Sequence, residues 1–308
     1  MRTRYSDKGM TRMQVGAAIG LVLLLSCIVV FLVRYDDSHG LQSAFERSVQ
    51  KIHIIQTMSR DLLASAEAEK SAVMADTDEA SQTFAEQSSQ ASQHVEKTRR
   101  ELEPLLGGNL QEAHLFREFS RCWDKLQEID REVLALAVQN TNLKALRLSF
   151  VPAAEAMRRM EEALNQLIDV VSSSPDAVGI TRLASKAVMG ALNIYTLQAP
   201  HIAEITASRM DEMEAVMHSL DVQVTDALQS LQARVDEPGK PFLEAAWASY
   251  QDFQNINAAI VDLSRQNSNI RSYALSLGQK RKTTAQCQDV LAALQETVQQ
   301  SMTYKATR

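Results

Sequence analysis

Gln139-Asn140-Thr141-Asn142-Leu143-Lys144-Ala145-Leu146-Arg147-Leu148-Ser149 occurs a second time, as Gln266-Asn267-Ser268-Asn269-Ile270-Arg271-Ser272-Tyr273-Ala274-Leu275-Ser276. The same offset carries Trp123 to Tyr250, Leu126 to Phe253, Ile129 to Ile256, Val133 to Ile260 and Leu136 to Leu263. It also carries Leu164 to Leu291, Leu167 to Leu294 and Val171 to Val298. A constant offset over two helix-length stretches is the signature of a duplicated structural unit.

Composition agrees with a helical reading. Gly 10 and Pro 6 are few for 308 residues, and aromatics make up 5%. Such a balance suits long helices better than sheets. A net charge of −6 argues against a dedicated nucleic-acid binder. The three cysteines form no Cys-x-x-Cys pair, so neither a zinc site nor a disulfide framework is expected. Cys122 and Cys287 read as packing residues on helices.

Val15 to Val33 is apolar or small throughout. As a helix it is about 28 Å long, enough to cross the hydrocarbon core of a bilayer. Arg2, Arg4, Lys8 and Arg12 precede it; Asp36 and Asp37 follow Arg34. The positive-inside rule puts the tail 1–14 in the cytoplasm and residues 35–308 outside, which in a bacterium is the periplasm. No small-residue cleavage site follows Val33, so an uncleaved inner-membrane anchor is favoured over a signal peptide. Leu25-Ser26-Cys27 is a weak lipobox, but the chain stays apolar from Ile28 to Val33. No second span is expected.

Beyond the anchor, apolar stripes at steps of three and four predict eight helices. Phe45, Val49, Ile52, Ile55, Met58, Leu62 and Ala66 mark the first, over 38–75. The second runs to about Leu105, capped by Asp76 or Thr77, and Gly107-Gly108-Asn109 ends it. The third covers about 111–139. The fourth, 143–172, has an inward seam at Leu143, Leu146, Phe150, Ala153, Met157, Met160, Leu164, Leu167 and Val171. Ser172 to Asp176 separates the copies. The second copy repeats the plan at about 176–198, 201–235, 242–266 and 269–302. Amphipathic helices with short connections form up-down bundles. The expected fold is all-α: an anchor followed by two antiparallel four-helix-bundle modules, 35–172 and 173–308.

A single anchor, a long helix, an aromatic-led third helix and a fourth carrying Pro152-Ala153-Ala154 with a leucine heptad resemble the four-helix-bundle sensory module of bacterial chemoreceptors, the methyl-accepting chemotaxis proteins. The resemblance covers about 41–171, and the second copy follows it more loosely at 177–300. The total outer length is similar to the double helical sensor domain of some chemoreceptors. The resemblance implies a ligand-binding sensory domain and a parallel homodimer. The second membrane helix, signalling linker and cytoplasmic hairpin of that family are not found. Signalling is therefore expected to pass to a partner membrane protein, or the chain to be a truncated receptor. A structural scaffold of the cell envelope is the rival class.

Motifs for catalysis are missing. None of His39, His53, His94, His114, His201 and His218 has Glu three residues before it, as a di-iron bundle requires. No haem attachment, phosphate loop or nucleophile elbow occurs. No enzyme activity, cofactor or metal is expected. The Asn-rich repeat is expected to end one helix and cap the next. Met210, Met213 and Met217 are expected in the core.

The copies differ in one respect that bears on binding. Where the fourth helix of the first copy has Ala153, Met157 and Met160, the second has Lys280, Thr284 and Cys287. Polar groups in a seam are costly unless paired or hydrated. Pro152 and Gly278 mark a bend at nearly the same level. The sequence therefore nominates a polar pocket in the second bundle, with Lys280 as anion-binding charge and Thr284 as hydrogen-bond donor, for a small organic acid or an amino acid. The alternative is a rotated helix that turns Lys280 to solvent.

Overall fold

The computed structural model describes the backbone of residues 9–306 and the side chains of residues 42–303. The first copy contains α1 (Gly9–Met74), α2 (Asp78–Leu102), α3 (Leu110–Ala137), α4 (Thr141–Leu148) and α5 (Ala154–Val170). The second contains α6 (Ala177–Ala203), α7 (Ala207–Gln232), α8 (Lys240–Gln266), α9 (Ser268–Leu275) and α10 (Arg281–Ala306). The predicted tail 1–14 and anchor 15–33 have side chains outside the described residues. Among the described residues, no helix is long and apolar enough to cross a membrane.

Local chemistry sets the helix ends. Thr77 Oγ1 accepts the Ala80 N–H at 3.1 Å and caps α2. Asp78 and Glu79 in the first turn of α2, and Arg99 and Arg100 in its last, oppose the helix dipole. Asn109 Oδ1 accepts the N–H groups of Gln111 and Glu112 and starts α3. Helix α6 does not stop at Pro200, as expected, but continues to Ala203.

The duplicated turn repeats in the backbone. Asn140 and Asn267 are the two non-glycine residues with positive φ among those described, at 51° and 55°. Asparagine tolerates this left-handed conformation better than most residues. Two π-helical segments then follow, Ser149–Ala153 and Ser276–Lys280, and they contain Pro152 and Gly278, the two positions singled out from sequence. Each joins two helices into one longer rod.

The extra residue of a π turn also explains a misreading of the seam. A continuous heptad puts Phe150 inward, yet Phe150 is 64% exposed. Met157, Met160, Leu164, Leu167 and Val171 are buried as expected, but above the π segment the buried positions are Thr141, Asn142, Ala145 and Ser149, and not Leu143 or Leu146. The seam slips by one residue. In the second copy Ser268, Ser272 and Ser276 are buried, and Leu277, the counterpart of Phe150, is exposed. At the other end of the chain, Phe45 and Val49 were also expected inward and are exposed.

Two compact units emerge: residues 1–63, 91–123 and 285–308, and residues 64–90 and 124–284. Each takes segments from both copies, so neither coincides with the division 35–172 and 173–308. In the first unit, Ile55, Met58, Leu62, Val95, Leu102, Phe119 and Trp123 are buried, with Leu291, Leu294 and Val298 from α10. Phe119 and Trp123 stack at 6.3 Å. The Trp123 N–H donates to Glu96 Oε2 at 3.2 Å.

Cys122 and Cys287 form a disulfide between α3 and α10, with Cα atoms 5.6 Å apart. This overturns the expectation of two unpaired packing thiols. The pairing joins helices from different copies at positions the repeat does not match, so spacing gave no sign of it.

In the second unit, α5 packs against α6 and α8, and α6 against α7. The core joins Met160, Leu164 and Leu167 of α5 to Ala184, Ala187 and Ala191 of α6, Val224 and Leu228 of α7, and Tyr250 and Phe253 of α8. The small residues of α6 bring neighbouring helices close. A Cβ on Gly190 would lie 2.6 Å from Val224 Cγ2.

Candidate ligand cavity between α6, α7 and α8

The third helix of each copy carries an aromatic residue at the same repeat position, Trp123 or Tyr250. Both are buried, and both send a polar tip to a carboxylate of the preceding helix. Trp123 reaches Glu96; the Tyr250 hydroxyl donates to Asp221 Oδ1 at 2.6 Å. The phenol is smaller than the indole, and in the second copy a cavity of about 280 Å³ stands beside it.

The walls come from three helices. Helix α7 supplies Glu214, Met217, His218 and Asp221 at steps of three and four, which share one face. Helix α8 supplies Tyr250, Phe253, Gln254, Asn257, Ala258 and Val261, and α6 supplies Ile194. Tyr250 and Phe253 are 6.1 Å apart between ring centroids. The wall is therefore part aromatic and aliphatic, part carboxylate and amide, a composition that suits a small organic ligand. Of the methionines expected in the core, Met210 and Met217 are buried, and Met217 also faces the cavity.

Hydrogen bonds fix the polar members. Gln254 Nε2 also donates to Asp221 Oδ1, at 2.5 Å. Asn257 Oδ1 accepts from Gln198 Nε2 at 2.9 Å, and Gln198 Oε1 accepts from Ser149 Oγ at 2.8 Å. The cavity is thus tied by two bonds to the π segment Ser149–Ala153. Glu214 Oε1 accepts from Arg265 Nε at 2.6 Å and lies 2.8 Å from His201 Nε2. An ionised carboxylate only accepts, so His201 carries its proton on Nε2. The Arg265 hydrogen bond holds the Glu214 carboxyl below its usual range against the effect of burial, with His201 adding to it. Burial, reinforced by Asp221, pushes the Tyr250 hydroxyl far up, so it remains a donor.

The residues nominated from sequence lie elsewhere. Lys280 is 3% exposed, so the helix is not rotated to solvent. Its ammonium is 3.0 Å from Glu69 Oε2 of α1 and bonded to Asp130 Oδ1 of α3. The positive charge is met by two carboxylates from first-copy helices, away from the cavity of α6–α8. Thr284 Oγ1 and Glu69 Oε1 are buried without a hydrogen-bond partner. Sequence reading missed Asp221, Tyr250 and Asn257 as a group. Tyr250 was read as a core aromatic, and Asp221 looked like any acid on a helix. Among the described residues, no group of three or more His, Cys, Asp or Glu side chains is placed to hold a metal ion.

A helical bundle with a cavity and a duplicated four-helix plan has a match among known families. Residues 11–179 match the model of the four helix bundle sensory module for signal transduction, found in chemotaxis receptors. The chain belongs to this family. The matched region contains the whole first copy and the connection to the second, and confirms the resemblance drawn from the residues. No curated protein matches the chain. As a member of this sensory family, the protein is a sensor domain in signal transduction.

Proposed function

We propose that this member of the four-helix-bundle sensory family is a single-pass inner-membrane protein whose residues 35–308 face the periplasm and bind a small ligand. The observation that carries the reading is the cavity of about 280 Å³ in the α6–α8 bundle of a chain from a sensory family. The apolar run Val15–Val33 with its basic N-terminal flank supports the anchor. The Cys122–Cys287 disulfide supports an oxidising compartment. Binding rather than catalysis is its action. Ligand uptake shifts α7 against α8 by a small amount, and the shift passes to a partner membrane signalling protein. Exposed Phe45 and Val49 on α1 support a parallel homodimer, in which a second copy covers them.

The test is thermal unfolding of the full-length chain in detergent against amino acids, amines, organic acids and inorganic anions. A saturable rise of several degrees for one class is expected, because a ligand that binds only the folded state raises its stability. Concentration-dependent association with no response to any compound would replace the sensor with a structural scaffold.

A further inference from the structure

The charges around the cavity are unequal in kind. Glu214 is neutralised by Arg265 and also hydrogen-bonded to His201. Asp221 is different. Its Oδ1 accepts from two neutral donors, Tyr250 and Gln254. Among the described residues no basic side chain pairs with it. No lysine or arginine lines the cavity. Two neutral hydrogen bonds orient a carboxylate without cancelling its charge, and both of them fall on Oδ1. The lining also includes Ile194, Met217 and Phe253, which offer apolar contact. An anion entering here would meet the Asp221 carboxylate, with His218 one turn away as the basic side chain in the wall.

We propose that the cavity binds a small protonated amine, its ammonium on Asp221 Oδ2 and its short apolar body against Ile194, Met217 and Phe253. This deepens the sensor reading and rests on it: it names the ligand class, and it moves the site from Lys280 to Asp221. A charge-assisted hydrogen bond from an ammonium to an oriented carboxylate is the strong contact. The apolar body supplies burial. Inorganic anions and simple carboxylates are rejected by the uncompensated charge.

The experiment measures n-butylammonium, butyrate and 1-butanol binding to the full-length chain by thermal shift and calorimetry, for the native protein, Asp221→Asn and Ala258→Trp. Asn keeps an oxygen for Tyr250 and Gln254 to donate to, so the variant keeps its fold, and its ligand-free melting temperature checks this. Ala258→Trp fills the cavity from its exposed rim without changing charge. The expected result is saturable n-butylammonium binding, weakened at least tenfold by Asp221→Asn and abolished by Ala258→Trp, with no butyrate binding. Butyrate binding as tightly as the amine, or amine binding unchanged in both variants, overturns the ligand class and leaves the sensor reading standing. Silence from these three probes overturns the ligand class; silence from every class in the wider panel overturns both readings.

Discussion

Thr141 and Ser268 cap each other's helices. The Thr141 N–H donates to Ser268 Oγ at 3.1 Å, and the Ser268 N–H donates to Thr141 Oγ1 at 3.0 Å. One residue on, the Asn142 N–H donates to Asn269 Oδ1 at 3.1 Å and the Asn269 N–H to Asn142 Oδ1 at 3.2 Å. Every one of these bonds spans 127 residues, the offset of the repeat. The first turns of α4 and α9 therefore satisfy their orphan N–H groups from the other copy. Reciprocal contacts of this kind define a two-fold interface between identical subunits; here the subunits are two halves of one chain.

Removing either hydroxyl should cost about 1 kcal/mol, the usual worth of an N-cap. Thr141→Ala and Ser268→Ala share one junction, so their effects should not add. The double variant is expected to depart from the sum by about 0.5 kcal/mol or more, measured by thermal unfolding of the four proteins. Strict additivity would mean the two caps are independent.

The disulfide closes a loop with a sequence separation of 165. Loop-closure entropy and the typical measured range put its contribution at about 2–5 kcal/mol. Reduction with dithiothreitol should lower the melting temperature of the native chain, and a Cys122→Ser/Cys287→Ser variant should melt lower and ignore the reductant.

Lys280 is a buried cation between Glu69 and Asp130. Replacing it with Met leaves two carboxylates buried without a counter-charge, at a cost of about 3–5 kcal/mol. Replacing the three together, as Lys280→Met with Glu69→Leu and Asp130→Leu, should recover most of that loss. Urea unfolding compares the single with the triple variant. Recovery identifies the lost pairing as the cause; a triple variant no more stable than the single would show that packing alone was lost.

The Glu96 carboxyl accepts from Arg99, Arg100 and Trp123. The Arg99 hydrogen bond leads in lowering its pKa from 4.5 to about 2 against the effect of burial. A folded pKa below the unfolded one gives stability that is present above about 4.5 and lost as pH falls towards about 2. Partial exposure and solvent screening leave roughly 1–3 kcal/mol of it at neutral pH. Glu96→Gln should lower the melting temperature at pH 7, and the gap to the native protein should close by about pH 2.

Much of this is legible in the sequence. The turns at Gly107-Gly108-Asn109 and at Asn140 or Asn267 are where glycine and asparagine placed them. Burial of Trp123, Leu126, Tyr250 and Phe253 follows from helical spacing. The seam of α5 from Met157 to Val171 is as expected. The same reasoning failed at Phe150, because a seam extrapolated at constant period takes no account of the inserted residue in a π turn. It failed at Cys122 and Cys287 because a covalent pair between helices depends on which helices become neighbours. The polarity of Lys280 was legible as an exception in an apolar seam, but its partners Glu69 and Asp130 lie on helices the sequence did not place beside it.

By itself, the sequence determined the helices, the duplication and the sensory family, because period, turn chemistry and repeat offset are properties of neighbouring residues. Tertiary structure decided which copy supplies each neighbour. The last helix joins α3 through Cys122–Cys287, α5 packs on α6 and α8, and the caps of α4 and α9 cross between copies. An apolar stripe specifies that it must be covered and not by which helix; two copies of one pattern can exchange their fourth helices at nearly equal cost in buried area. The cavity belongs to the same class of fact. Asp221 acquires its oriented, unmatched charge from Tyr250 and Gln254 on another helix, and only packing brings them together.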